Sequence, residues 1–403
     1  MLKENVRKRL FETYGPDPAV QCLARLEEEL ARIPEKSYED EALLIGKLRE
    51  AADCEVNPGF FPSASFVNWL VMGTNVNPLP PHYRCPVCGK TVFLTGGDAW
   101  DLPILACCGR PLLPDGHNIP FESVSAWMED PNHQLTFQIP GAFAEKAVEI
   151  IRAHYAGRYH LVPYTNSLSF ELSFALIPVE AEQPLLDENG VWEVDPETLY
   201  RLTYRTLVLK CTEEKARLKA LEARSGVRPE IKDLLAVPVL EAVRTRLRQE
   251  IAENIEPTEP FETAKPPLRE GELSFSLLVK MAGYRHAMYY EDNPALAAEG
   301  AGYADLFTCR EDVWDLVSPA VKPEYGVGQA IAGRFTDCTR KGRFTHGRMG
   351  EVSELLLKKL GISDHWITQM KYTAYLPAKA ALIEELLDRM RLAWYEQREA
   401  SDN

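Results

Sequence analysis

Four cysteines carry the clearest chemical signal in the chain. Cys85-Pro-Val-Cys88-Gly89 is a Cys-x-x-Cys-Gly knuckle, a turn that aims two sulfurs at one point and places a glycine behind the second. Cys107 and Cys108 follow after 18 intervening residues, with Gly109 behind them. Four thiolates at this separation suit a structural Zn2+, and a four-ligand site leaves no position for a reacting water. The second pair departs from the pattern, because its cysteines are adjacent. His82 and His117 stand nearby as substitute ligands. The plainer alternative is a relic knuckle with reduced or buried thiols. Under either reading the site staples a Gly/Pro-rich lobe and does no chemistry.

A second constellation is basic. Arg334-Phe-Thr-Asp-Cys-Thr-Arg-Lys-Gly-Arg-Phe-Thr-His-Gly-Arg348 holds Arg334, Arg340, Lys341, Arg343 and Arg348 with one acid and two phenylalanines. Cations for phosphate and aromatic rings for stacking suit nucleic acid. The alternatives are a solvated loop between helices and a docking site for an acidic protein. The cluster stands out because the chain carries a net charge of −15. Such a charge disfavours global phosphate binding and leaves it to local patches.

The elements that must position these residues follow from periodicity. Residues 3–33 read as helices broken at Tyr14-Gly-Pro-Asp-Pro, and a further helix covers about 38–52. Ser65–Met72 suits a buried helix. Residues 82–120 are rich in Gly, Pro and Cys, with strand-like pieces such as Thr91–Leu94. Gln134–Ile139 alternates at period two, Ala142–Tyr155 reads as a helix, and 168–177 and 202–209 read as strands. Residues 213–254 are helical, 255–271 form a Pro/Glu-rich linker, and 272–403 are helix-patterned almost throughout. No apolar run reaches 18 residues and the start of the chain lacks a signal-peptide core, so a cytoplasmic protein without membrane contact is expected. The odd count of nine cysteines argues against a disulfide framework.

These residues also resemble a known family. Asn77-Pro-Leu-Pro-Pro-His-Tyr-Arg-Cys-Pro-Val-Cys88, Asp101-Leu-Pro103, Cys108-Gly-Arg-Pro-Leu112 and Asp115-Gly-His-Asn-Ile-Pro-Phe-Glu122 resemble the PolC-type alpha subunit of bacterial DNA polymerase III. Arg9–Gly15, Arg25–Leu30, Leu273–Gly283, Cys309–Val313 and Lys371–Pro377 continue the likeness in the family's order. The family's second cysteine pair keeps a two-residue spacer that this chain lacks. The resemblance implies an α+β fold: a polymerase-beta-like nucleotidyltransferase palm with a zinc-binding insertion, then an all-α fingers domain. The implied boundaries are a palm-like domain over 1–254 with the Cys-rich lobe at about 78–122, a linker over 255–271, and helical fingers over 272–403.

The resemblance also implies what is missing. Nucleotidyl transfer uses two Mg2+ ions held by carboxylates, and the family carries an Asp-x-Asp pair on one strand and a third Asp on a neighbour. Anchored on Gly141, Lys146-Ala147 and Leu209-Lys210, those positions read Gln134, Thr136 and Thr212. Neutral side chains do not hold hard cations, so Mg2+ is not expected. The family's phosphate-cradling loop matches Pro58-Gly-Phe-Phe-Pro-Ser-Ala-Ser65, where Pro62 removes a donor and two phenylalanines fill space. After the family's Phe-Pro motif, Ala378 replaces the basic residue and Lys379 follows it; Arg285 and His286 are expected to be structural.

The chain is therefore expected to be a non-catalytic pseudo-polymerase acting in DNA replication. Its expected partners are DNA ends, primer-template or a replisome protein. Two alternatives stay open: a divergent metal-dependent nucleotidyltransferase whose carboxylates have moved to Glu213 and the acids Glu193, Asp195 and Glu197, and a zinc-stabilised interaction scaffold.

Overall fold

Alternation builds the first strand of the sheet. In Leu135–Ile139 (β1) the apolar Leu135, Phe137 and Ile139 are buried while Thr136 and Gln138 are half-buried, because successive strand residues face opposite sides. The computed structural model describes residues 2–52, 63–124, 134–165, 172–211, 213–253, 269–290, 293–298, 300–321 and 328–402. It divides the chain into two compact units, one of residues 1–77 and 124–227, the other of 78–123 and 228–403.

The first unit mixes helices and a sheet. Helices α1 (Leu2–Tyr14), α2 (Val20–Leu30), α3 (Glu35–Ala52) and α4 (Phe66–Met72) precede β1, and α5 (Ala144–Tyr155) follows it. The other strands are β2 (Tyr159–Thr165), β3 (Leu172–Pro178), β4 (Trp192–Glu193) and β5 (Arg205–Cys211), ordered β1-β5-β3-β2-β4. β5 runs parallel to β1 and antiparallel to β3; β2 runs antiparallel to β3 and parallel to β4. Helix α6 (Pro196–Leu202) leads into β5, and α7 (Glu213–Ser225) follows it. Leu44, Ile45 and Leu48 of α3 and Ala147, Ile151 and Tyr155 of α5 close one face of the sheet over Phe137, Leu207, Leu209, Phe174 and Leu176. Each fully buried aliphatic or aromatic side chain here contributes about 1.5–3 kcal/mol. On the other face Val162, Tyr164, Ala175 and Ile177 pack under Trp192 and Leu199, which covers the β2/β3 side.

The second unit joins the Cys-rich lobe to the helical half of the chain. Its longer helices among the described residues are α8 (Val237–Glu253), α9 (Phe275–His286), α10 (Arg310–Val317), α11 (Gly328–Arg340), α12 (Glu351–Lys359), α13 (Asp364–Tyr372) and α14 (Lys379–Asp402). This division differs from the boundaries expected from sequence, which put the lobe and residues up to 254 with the sheet. The reason lies in specific contacts. Asp101 of the lobe accepts from the amides of Phe275 (2.5 Å) and Ser276 (2.9 Å) and so caps α9, where a carboxylate suits the helix dipole. Trp100 meets His117 and Phe275 edge-on, with ring centres 4.4 and 4.6 Å away. Lys379 donates to the His117 carbonyl at 2.6 Å, and Ser123 donates to Glu311 at 2.9 Å.

Most of the expected linker, residues 254–268, lies outside the described residues. Its end is tied down, since Arg269 bridges to Gly302 and Glu270 pairs with Arg248 at 2.8 Å. The all-helical expectation for 272–403 also misses a two-stranded ladder of Met288–Tyr289 with Thr373–Tyr375, too short for periodicity to reveal.

Three helices of this unit are clamped by charge. Glu250 of α8 receives Arg389 of α14 through both its oxygens, at 2.6 and 3.0 Å, and Arg285 of α9 at 2.7 Å. Glu385 accepts from Arg285, from His286 (2.7 Å) and from Arg389 (2.8 Å). Arg285 and His286 therefore have structural partners. Burial alone would raise the Glu385 carboxyl, but the hydrogen bond from His286 and the charges of Arg285, His286 and Arg389 outweigh it and hold the group at about 2. A carboxyl depressed in the folded state stabilises above its unfolded value and loses that contribution as pH falls through its folded value. Glu385→Gln is accordingly expected to lower stability by about 2 kcal/mol at pH 7. Urea titrations of both proteins should show this difference shrinking as pH falls from about 4 toward 2.

Candidate functional site

The four cysteines converge. Their sulfurs all lie within 4.8 Å of one another and could hold a metal ion. Cys85 sits at the end of the His82–Arg84 strand, the middle strand of a three-stranded antiparallel sheet with Thr91–Phe93 and Leu113–Asp115. The backbone amide of Cys88 points at the Cys85 sulfur at 3.5 Å, and this contact leads in pulling the Cys85 thiol down to about 7. Cys107 closes the small ladder of Ala106–Cys107 with Arg110–Pro111. The Cys107 sulfur lies 3.9 Å from Cys88 and 3.7 Å from Cys108.

Adjacent cysteines share the site because Cys108 takes a left-handed backbone, φ 51°, followed by Gly109 at φ 71°. The left-handed turn swings the second sulfur back to the first and replaces the missing spacer. The histidines considered as substitutes are engaged elsewhere. His82 contacts the Pro80 carbonyl through Nδ1 at 2.8 Å and packs on Phe93. His117 holds Asp98 through Nδ1 at 3.0 Å. Asp98 is buried, which alone would raise its carboxyl; the charge and hydrogen bond of His117, with Lys379 nearby, hold it at about 2 instead. Lys379, its ammonium 3.4 Å from Asp98, is an internal counter-ion. Cys88→Ser is expected to weaken the thiolate-to-metal charge-transfer band of the cobalt-substituted protein, because one of four thiolates is removed, while His82→Phe leaves it unchanged.

The sheet positions are less assembled than their sequence spacing suggests. Gln134 and Thr136 lie together, with Gln134 Nε2 donating to Thr136 Oγ1 at 3.2 Å. Thr212 lies outside the described residues. Val208 is level with Thr136, and Cys211 is level with Ile139. The end of β5 is thus three residues past Thr136, about 10 Å along the strand. The residues of β5 that share the Thr136 face nearby are Thr206, Val208 and Lys210. Among the described residues β1, β2, β3 and β5 contain no carboxylate. Among the described residues Glu193 is the sole acid on the strands, on β4, four strands from β1. Four strand spacings are about 19 Å. Asp195 is occupied as the cap of α6, accepting from the amides of Glu197 (3.1 Å) and Thr198 (2.9 Å), which pulls its carboxyl down. Asp130 and the side chains of Glu213 and Glu214 fall outside the described residues.

Of the expected phosphate loop, residues 58–62 also lie outside the described residues. The amides that follow are already engaged by an internal anion. Buried Glu29 accepts from Phe66 N and Val67 N at 2.9 Å each, from Ser65 Oγ at 2.7 Å and from Arg25 Nε at 2.6 Å. The start of α4 thus has its donors satisfied from within the chain.

The basic stretch is half helix and half turn. Arg334, Asp337 and Arg340 lie on α11, and Lys341 to Arg348 form a turn. Gly342, at φ 61°, presses on the following segment, where an added Cβ would sit 2.7 Å from the Ala374 carbonyl. Asp337 gathers Arg340 and Lys341 at 2.8 Å and Arg343 at 3.5 Å. Spacings of three and four residues on a helix made the first two pairs legible beforehand. Phe335 and Phe344, expected to stack on bases, are instead buried against each other with ring centres 5.7 Å apart. Arg334 and Arg348 are exposed and pair with no acid among the described residues.

A scan against protein-family models finds no match. Curated relatives are found, and they carry the name DNA polymerase III PolC-type. That of Thermotoga petrophila is 24% identical over 467 positions, covering 96% of this chain and 33% of the relative. That of Thermotoga maritima is 33% identical over 166 positions, covering 38% of this chain and 12% of the relative. That of Streptococcus pyogenes serotype M3 is 37% identical over 142 positions, covering 32% and 10%. The chain spans about a third of the length of the first of these relatives and less of the others. Among the described residues no helix is long and apolar enough to cross a membrane.

Proposed function

We propose that this PolC-like chain is a non-catalytic relative of the polymerase core, which binds DNA through its basic turn and keeps a zinc-stapled lobe. The observation that carries the proposal is the lack of carboxylates on the described residues of β1 and β5. A pair of Mg2+ ions requires several anionic oxygens converging within a few ångströms. Here the described strands offer one, at the far edge from Thr136. The capture of the α4 amides by Glu29 supports the same conclusion, since a phosphate there would have to displace a buried carboxylate.

Zinc is supported by the sulfur spacing. Four sulfurs at about 2.3 Å from a tetrahedral Zn2+ lie about 3.8 Å apart. The two neighbouring pairs, at 3.9 and 3.7 Å, match that edge. Zinc bound there would tie the hairpin at Cys107 to the knuckle at Cys85.

DNA contact is supported by the exposed cations at Arg334, Arg343 and Arg348, held on a turn whose Phe344 and Thr345 are buried. Such contact releases counter-ions, so affinity falls steeply with salt. Fluorescence anisotropy with a primer-template is expected to show binding that survives EDTA. Replacing Arg343 and Arg348 by Ala should weaken binding about tenfold and flatten the salt slope by about two. Asp337→Asn frees three cations and should strengthen binding a few-fold. The same preparation should give no extension with Mg2+ or Mn2+; extension abolished by Glu213→Gln would overturn the proposal.

A further inference from the structure

We propose that the thiolate cluster is a site of oxidative modification, at which a peroxide joins Cys88 to Cys107 and the metal is released. This rests on the zinc assignment above. Cys88 and Cys108 are exposed and Cys107 is half-buried, while Cys85 alone is buried. Three of the four residues are therefore at least partly open to solvent. A metal keeps its cysteines as thiolates, and thiolate character with access decides which cysteines oxidise.

Geometry disfavours the adjacent pair and leaves Cys88 with Cys107 as a close pair from separate segments. The sulfurs of Cys107 and Cys108 are 3.7 Å apart, but Cα atoms of neighbouring residues are about 3.8 Å apart, short of the ~4.4–6.8 Å that disulfides span. Cys88 and Cys107, at 3.9 Å between sulfurs, come from separate segments and escape that restriction. The exposed Cys88 is the one that meets the oxidant, and Cys107 resolves it.

The step balances. The Cys88 thiolate attacks one peroxide oxygen, the O–O bond breaks, and a sulfenic acid and hydroxide form. The Cys107 thiolate then attacks that sulfur, expels a second hydroxide and closes the disulfide. The two sulfurs lose two electrons in all, which the peroxide oxygens take. Only Cys85 and Cys108 remain as thiolates, too few for a structural zinc ion, which leaves. The ladder at Ala106–Cys107 has two residues on each strand and opens with it. The three-stranded sheet persists, because Tyr83, Trp100 and the Asp98–His117 pair are buried independently of the sulfurs.

The test begins with metal analysis of the reduced full chain, where one zinc per chain is expected. A chain that neither holds nor takes up zinc removes the zinc assignment and this proposal together, before any oxidant is added. Stoichiometric hydrogen peroxide follows, with zinc release read by a chromophoric chelator and disulfides by peptide mass mapping. The expected result is about one zinc released per chain with a Cys88–Cys107 disulfide, reversed by reductant plus zinc. Zinc retained after the exposed Cys211 has oxidised would overturn the proposal, as would release with a Cys107–Cys108 disulfide. Cys108→Ser should still form the Cys88–Cys107 disulfide; its absence there would also overturn the pairing.

Discussion

A β-strand separates its two faces completely, and the rest of this molecule depends on that separation. Leu135, Phe137 and Ile139 commit one face of β1 to the core with α3 and α5, and Leu207 and Leu209 do the same for β5. The opposite face, where Val208 is buried but Thr136, Gln138, Thr206 and Lys210 are not, owes the core less, so its chemistry can change at smaller cost to the packing. On that face the described residues of β1 and β5 offer hydroxyls, amides, a valine and a lysine. In the proposed function, this is how a fold resembling a polymerase palm keeps its shape without holding the ions that its relatives' name implies.

Acids remain where they serve the fold. Glu29 anchors the start of α4, Asp98 pairs with His117, Asp101 caps α9, and Glu250 and Glu385 clamp three helices. Each meets donors already in place, so each stabilises its own unit. In a chain with 60 acidic residues the neutral sheet face is therefore a local feature. In the proposed function the cysteine cluster follows the same logic, since four sulfurs close enough to hold one ion would staple the lobe.

Much of this was legible in the residues. Helices α1 to α3, the alternating β1 and the convergence of the four cysteines all follow from local patterns. The backbone at Cys108 was not legible, because a left-handed non-glycine residue leaves no periodic trace. Nor was the attachment of the lobe to the helical unit, which rests on Asp101 and Lys379 meeting partners more than 170 residues away. Phe335 and Phe344 looked available for stacking because composition does not tell an exposed aromatic ring from a buried one.

The central claim concerns ions at the sheet, and electron paramagnetic resonance of Mn2+ reads it directly. Titrated into the zinc-loaded protein with primer-template and nucleotide, Mn2+ should keep the spectrum that DNA and nucleotide give it without protein. A pair of spin-coupled Mn2+ ions appearing only with protein would show carboxylates gathered where the account has none, and would contradict it.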